Sequence, residues 1–577
     1  VRTILARLAA LAVLLAVVGM LPWLSRNDPA LTVLRAKSAE QEATPEALAA
    51  IRADLGLDAG PLALLGQWAT GLLKGDLGTS WVSGYPVAPA VASGLATSLT
   101  LMAGALAVAL VLAALLCAPT LVRGARGTLP EGRPGGAVGA ILVACPEFLL
   151  ATVGLIVCGV WLGWLPTSGW AGPEHLVLPA IALGVPAGAM IGRLVGDALP
   201  GAFDERWVGL WRSSGVTEGR IAAAALRRAL PSVVPQLGLV VVALTGGAVA
   251  VETIFAIPGI GRTALGAAKS QDLPLLQGCV LALICLGLVA GAVAHFARRA
   301  MLGTGLRDAA LSPPPAARGA SGAAQFVLPA VFAAVLLVLV GWGLLRDPLT
   351  VDVSLKLLAP SWAHPLGTDA LGRDVLARLG HGAARTVGSA VAVCAFGFLL
   401  SLGLGFAPRV ASGIADVANA VPPVIAGVLV AAALGPGTAG AAIAVAAVSW
   451  PNLTAHAAAL TQEARAASYL TAQRAMGASA DWITLRHLLP AVAGPLARHA
   501  VLRLPGTALA IAALGFLGLG TQPPTPEWGL LLEESRAYVE VAPVAALAPA
   551  VAIALLAALT VSSANITGIA RRKAVRA

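Results

Sequence analysis

Two polar stretches interrupt an otherwise apolar chain, and they carry the same residue types at the same spacing. The first reads Trp207-Val-Gly-Leu-Trp211-Arg212-Ser-Ser-Gly215-Val-Thr217-Glu-Gly-Arg220-Ile221, and the second Tyr469-Leu-Thr-Ala-Gln473-Arg474-Ala-Met-Gly477-Ala-Ser479-Ala-Asp-Trp482-Ile483. Both set an aromatic residue eight before a glycine, an arginine three before it, a hydroxyl two after it and an isoleucine six after it. Glycine reaches the left-handed φ that ends a helix, and a serine or threonine just beyond it accepts an amide hydrogen bond that starts the next. Each stretch is therefore expected to fold as a short helix, a glycine turn and a second helix, forming a compact, partly basic elbow. The plainest alternative, an ordinary amphipathic loop lying on a membrane, leaves the duplication at equivalent places unexplained.

Residue patterns for catalysis or metal binding do not appear. A phosphate-binding loop needs Gly-Lys followed by Ser or Thr, because the lysine must reach the terminal phosphates from a glycine-rich turn. Lys37, Lys74, Lys269, Lys356 and Lys573 are the lysines, and none follows a glycine. The chain is accordingly expected not to be an enzyme or its own ATPase. No nucleophile triad or His-Glu-x-x-His pattern is evident, and the histidines are scattered. Cys117, Cys145, Cys158, Cys279, Cys285 and Cys394 lie in apolar runs with no Cys-x-x-Cys pair, as small apolar residues do. Of the ionisable groups in apolar runs, Glu147, in Cys145-Pro146-Glu147-Phe148, is the candidate for coupling to an ion. A single carboxylate near a helix end is a poor basis for coupling to an ion gradient.

The elements that must carry the two elbows are membrane helices. Of 577 residues, 58% are hydrophobic and 11% charged, with a mean hydropathy of +0.85, whereas soluble domains carry about a quarter charged residues. That excludes a soluble enzyme. Apolar runs fall at 4–23, 95–122, 137–165, 176–196, 232–251 and 275–297, then at 324–345, 386–407, 414–434, 438–460, 494–518 and 542–570. The fold expected is an all-α integral membrane protein of about twelve transmembrane helices, six in each half. The first run follows Arg2 and Arg7 like a signal peptide but ends Leu-Pro-Trp-Leu-Ser without a small-x-small cleavage site, so it is expected to stay as a helix.

Alternating spans allow a test by charge. The side holding both elbows and both termini collects 25 Lys or Arg against 9 acids, and the opposite side 12 against 18. By the positive-inside rule the elbows and termini are cytoplasmic, in the cell membrane. The +10 net charge is then a sidedness signal, with the lipid bilayer as its partner and no nucleic acid. Residues 303–323, rich in Pro, Gly, Ser and Ala, are expected to be a flexible cytoplasmic linker between halves 1–302 and 324–577. An external insert, about 24–94, belongs to the first half alone.

Further motifs flank the spans. The first half has Gly75-Asp-Leu-Gly78-Thr-Ser, Leu162-Gly-Trp-Leu-Pro166 and Val251-Glu252-Thr-Ile-Phe255-Ala-Ile-Pro258-Gly259-Ile-Gly261-Arg262. The second has His364-Pro365-Leu-Gly367-Thr-Asp369-Ala-Leu-Gly372-Arg373-Asp374, Arg486-His487-Leu-Leu-Pro490, and Gly515-Phe-Leu-Gly-Leu-Gly520-Thr-Gln-Pro523-Pro524-Thr-Pro526-Glu-Trp528-Gly529. On these motifs the chain resembles the peptide/nickel (dipeptide/oligopeptide) family of ABC importer permeases over nearly its full length, with the B-type and C-type subunits fused. The two elbows resemble that family's EAA loops.

The resemblance implies a solute pathway between two six-helix permease halves. It implies two ABC ATPase subunits, or one fused ATPase, with ATP and magnesium bound there and no cofactor in this chain. An extracytoplasmic solute-binding protein would deliver the solute. The coupling residues it implies are Trp207, Arg212, Gly215 and Thr217 in the first elbow, and Tyr469, Arg474, Gly477 and Ser479 in the second. The first elbow departs from the family pattern, with Trp211 where a small alanine is usual and Ala225 near the place of a frequent histidine; the second keeps His487. Peptides are the substrate class implied, with nickel or a metal chelate as the alternative and an ion-coupled twelve-helix transporter as the rival from another class. Substrate ligands are not identified. Outside the membrane, Thr368-Asp369 and Gly372-Arg373-Asp374 read as a turn and a capped helix start, and Pro523-Pro524-Thr-Pro526 as a stiff turn. Glu527, Glu533, Glu534 and Glu540 lie near the last outer loop and read first as solvated acids, with help in docking the binding protein as the alternative.

Overall fold

The computed structural model describes residues 2–25, 28–37, 43–129, 142, 146–302, 324–407, 415, 418–419 and 421–564. The expected linker at 303–323 and Cys145 lie outside these residues. Among the described residues the chain is all-α, and its only extended pairings are the isolated bridges Thr79–Pro86 and Thr368–Asp374.

Among the described residues seven helices are long and apolar enough to cross a membrane: Val87–Arg126, Glu174–Phe203, Gln236–Ile254, Leu273–Met301, Phe326–Leu344, Val375–Leu404 and Thr438–Arg465. The pair Ala480–Leu502 and Leu504–Phe516, bent by 42°, makes an eighth if counted as one span. Among the described residues the other four expected runs fall on Glu147–Trp161 and Pro423–Leu434, which are shorter, and on the helices Arg2–Gly19 and Pro543–Ala564. At 1.5 Å per residue a twelve-residue helix covers only about 18 Å of a core about 30 Å thick. Local chemistry bounds Pro423–Leu434 and Glu147–Trp161. Pro422 caps Pro423–Leu434 and Gly435, at φ 82°, ends it, while Glu147–Gly154 starts at Pro146 and loosens into a π-helical Leu155–Trp161.

The chain forms two compact units. One gathers Val1–Ser93, Thr263–Ile284 and Val338–Ile553, and the other Gly94–Arg262, Cys285–Leu337 and Ala554–Ala577. Packing within each relies on small residues, as expected where lipid removes the hydrophobic drive for helix association. In the second unit Gly184 and Gly188 face the helix Val87–Arg126, and a Cβ on either would lie 2.6 Å from the carbonyl oxygen of Ala105 or Ala109. A glycine at every fourth residue thus lets two backbones touch. In the first unit the insert is helical, with Pro29, Pro45 and Pro61 each opening a helix where a missing amide costs nothing. Gln277 Nε2 donates to the Val18 carbonyl at 2.8 Å, and Asp272 accepts from the Ser80 hydroxyl and, at 3.0 Å, from the Trp81 amide.

Candidate functional site

The first elbow is built on the eight-residue helix Arg206–Ser213. Val208 is fully buried beneath it, with Ile221 and Ala225 of the following helix Glu218–Ile254. The turn closes with two hydrogen bonds. The Gly215 amide donates to the Arg212 carbonyl at 3.1 Å and the Val216 amide to the Trp211 carbonyl at 3.0 Å, which is the Schellman helix stop. It requires the left-handed φ of 73° seen at Gly215. The second elbow repeats this on Ser468–Ala475, also eight residues. There the Gly477 amide donates to the Arg474 carbonyl and the Ala478 amide to the Gln473 carbonyl, both at 3.0 Å, with Gly477 at φ 87°. Leu470, Ile483 and Leu488 form its core, with Phe406, Ala464 and Ala478 packed against them. The glycine turn read from spacing is therefore present twice.

The other expected coupling residues divide. Ser479 caps the next helix, its Oγ accepting the Trp482 amide at 3.2 Å, whereas Thr217 occupies the cap position with no side-chain cap bond. Ser479→Ala should therefore weaken the second elbow by about 1 kcal/mol, and Thr217→Ala should change the first little. Hydrogen exchange at the Trp482 and Arg220 amides would measure the difference. Arg212 makes internal contacts, its Nε donating to the Ala125 carbonyl at 3.0 Å and its Nη2 to that of Gly124, at the end of Val87–Arg126. Arg474 is exposed.

The aromatic residues explain the departure at Trp211. In the second elbow Tyr469 and Trp482 both pack edge-on against His487, with ring centroids 5.6 and 4.9 Å apart. In the first, Trp207 packs edge-on against Trp211 at 5.1 Å, and its Nε1 donates to Glu205, which also holds Arg228 at 2.9 Å. Trp211 thus supplies the aromatic partner that His487 supplies in the other half. Leu210, Trp211, Tyr469, Met476, Trp482 and Leu485 remain exposed, giving each elbow an apolar outer face.

At the far ends of the helices leading from the elbows lie two carboxylates whose placement the sequence reading missed. Glu252 falls one residue past the apolar run and is fully buried in Glu218–Ile254. It accepts from Ser98 Oγ at 2.5 Å and from the Arg262 amide at 2.9 Å, while the Ile260 amide donates to Ser98 Oγ at 2.9 Å. Glu527, read as one of the solvated acids of the outer surface, is 1% exposed. It accepts from Thr386 Oγ1 at 2.7 Å and from the Gly529 and Leu530 amides at 3.0 and 3.1 Å, because it caps the helix Trp528–Arg536. Burial pushes its carboxyl above the ordinary range, against the pull of these donors. The signal was available, since both glutamates stand in motifs rich in glycine and proline. Glu147 is half-buried, its carboxyl against Gly247.

The turn ahead of Val375–Leu404 is a capped helix start, as read. The Asp374 carboxylate accepts the Ala377 amide at 2.9 Å and pairs with Arg346 at 2.6 Å. Asp369 closes its own turn on the Leu371 and Arg373 amides and binds Arg373 and Arg378, each at 2.7 Å. Arg378 also pairs with Glu534 at 2.7 Å. Glu534 is therefore tied up in the fold, leaving Glu533 and Glu540 as the exposed members of the acidic set.

The family profile described as "Binding-protein-dependent transport system inner membrane component" matches residues 135–302 and again 394–572. The chain belongs to this family. It is a multi-pass permease component with two fused halves, not an enzyme, and the family works with ATPase and solute-binding partners. Each elbow lies within one of the matched segments. Among similar proteins is a Brucella abortus (strain 2308) permease named for a peptide transport system, 31% identical over 280 residues, 44% of this chain and 82% of that one. The di/tripeptide transport system permease protein of Pseudomonas aeruginosa (strain UCBPP-PA14) is 39% identical over 240 residues, covering 39% and 77%. The glutathione transport system permease protein of Escherichia coli O1:K1 / APEC is 37% identical over 230 residues, covering 37% and 73%. Membership in this permease family displaces the ion-coupled transporter as a reading of the chain.

Proposed function

We propose that this permease forms the solute path of a peptide importer, with halves 1–302 and 324–577 joined through 303–323. The two elbows receive two ATPase subunits, or one fused ATPase, and ATP and magnesium are bound there. Trp207, Arg212, Gly215 and Thr217, with Tyr469, Arg474, Gly477 and Ser479, carry the coupling. The observation that carries the reading is the pair of matching Schellman-closed elbows, each turning an exposed apolar face outward on a buried core. The charge count supports elbows and termini in the cytoplasm, with the binding protein meeting the opposite face. The names of the relatives favour peptides over nickel as cargo.

Co-expression tests this reading. ATP hydrolysis is expected in the purified complex of the permease with its two ATPase partners, stimulated by peptide-loaded binding protein, and peptide uptake into vesicles should need all components. Uptake by the permease alone, driven by a proton gradient, would overturn it.

A further inference from the structure

The pairs Ser98–Glu252 and Thr386–Glu527 have no part in the proposal above, yet they are built to one plan. In each, the hydroxyl donates to a buried carboxylate and accepts the first amide of a short helix, Ile260 of Ile260–Lys269 or Trp528 of Trp528–Arg536. In each, the carboxylate takes the amide of that helix's third residue, Arg262 or Leu530. Each hydroxyl also stands four residues after a glycine on which the short helix rests. A Cβ on Gly94 would lie 3.2 Å from Ile260 Cα, and one on Gly382 3.2 Å from the Trp528 ring. The carboxylates are seated against Gly259 and Gly515, where any side chain would collide with them.

The glutamates themselves come from different places, Glu252 from the end of a long helix and Glu527 from the residue before its short one. A buried carboxyl is costly even when its acceptors are filled, and an apolar side chain would occupy the same volume without that cost. Filling space therefore does not explain the arrangement. Its position relative to the elbows suggests another reason. Val87–Arg126 carries Ser98 and, about 40 Å further along, the carbonyls held by Arg212. Glu218–Ile254 starts at the first elbow and ends on Glu252. In the other half Val375–Leu404 carries Thr386 and leads to Phe406, in the core of the second elbow.

We propose that each hydroxyl–carboxylate pair is a latch that fastens the short helix to the long helices reaching the elbow, so that elbow displacement arrives at the other end without slip. Ser98, Glu252, Thr386 and Glu527 are positioning residues. This rests on the elbows being the ATPase contacts.

The test uses the permease assembled with its ATPase partners in lipid nanodiscs, with native cysteines replaced and nitroxides placed at Val391 and Glu533, or at Leu110 and Arg262. The native protein should give the same narrow distance distribution for each pair without nucleotide and after ATP–vanadate trapping. Thr386→Ala with Glu527→Ala, or Ser98→Ala with Glu252→Ala, should broaden it and make it depend on nucleotide. Uptake should fall by about tenfold or more, as loss of a hydrogen bond to a charged group implies, while hydrolysis continues; Glu527→Gln should keep most of the native behaviour. A native distance that shifts by about one helical turn, about 5 Å, between the two states would overturn the latch without needing any variant. Unchanged distributions in the alanine variants would do the same. If the elbows are not the ATPase contacts, no vanadate-trapped complex forms, and that failure is distinct from a latch that slips within an assembled one.

Discussion

With valine at Gly477, the assembled importer is expected to keep hydrolysing ATP while uptake falls by about tenfold or more, the ratio that about 1.4 kcal/mol produces. Gly477 sits at φ 87° with nothing within 4 Å of where a Cβ would stand, so the penalty is one of backbone alone. A side chain in the left-handed region costs roughly 1–2 kcal/mol, and a β-branched one is a severe outlier there. Relief comes only by breaking the bonds from the Gly477 and Ala478 amides that close the turn, which re-aims the helix bearing Tyr469 against the one bearing Trp482. Alanine at the same place should show a smaller loss. Valine at Gly215 meets the same backbone penalty at φ 73°, but Arg212 anchors that elbow to the Gly124 and Ala125 carbonyls. Its effect should be equal or milder. Parallel assays of hydrolysis and uptake in proteoliposomes measure both, and full transport by the double variant would remove the coupling role from the elbows.

Replacing Arg378 by methionine is expected to cost the largest share of stability of any single change discussed, about 3–5 kcal/mol, the usual consequence of stranding buried charge. Arg378 is 1% exposed and holds Asp369 and Glu534, each at 2.7 Å. Without it the two carboxylates are left to Arg373, which reaches Asp369 at 2.7 Å but Glu534 only at 3.5 Å. Adding Glu534→Gln should recover part of the loss, because the remaining charges again balance. Denaturation in mixed micelles, followed by tryptophan fluorescence, would rank the three proteins. A single variant as stable as the native chain would show that the network is solvated rather than buried.

Much of this architecture is written in short-range chemistry. The two elbows could be read from one glycine, one hydroxyl and one isoleucine at set spacing, because a Schellman stop and a helix cap involve residues within a turn of each other. The same locality exposed the apolar runs and the capped start at Asp374. Local breaks were less accessible: the runs at 414–434 and 137–165 look continuous by hydropathy, yet one helix begins only after Pro422 and the other turns π-helical after Gly154. Arg212 and Arg474 looked equivalent in sequence, but only the folded chain brings the Gly124 and Ala125 carbonyls to Arg212.

The carboxylates mark the boundary most clearly. Glu527 read as one of four acids on an outer surface, and Glu252 as the edge of a motif. Their partners stand 141 and 154 residues away, and the two glutamates hold different sequence positions relative to the helices they cap, so no repeat betrays them. Periodicity, punctuation and charge pattern were enough to yield an all-helical membrane protein with two halves and two elbows, because those properties act within a few residues or sum over a whole face. Which buried acid meets which hydroxyl depends on how long helices lie side by side. That arrangement exists only once glycine-lined backbones have come into contact, and it is there that the matched latches form.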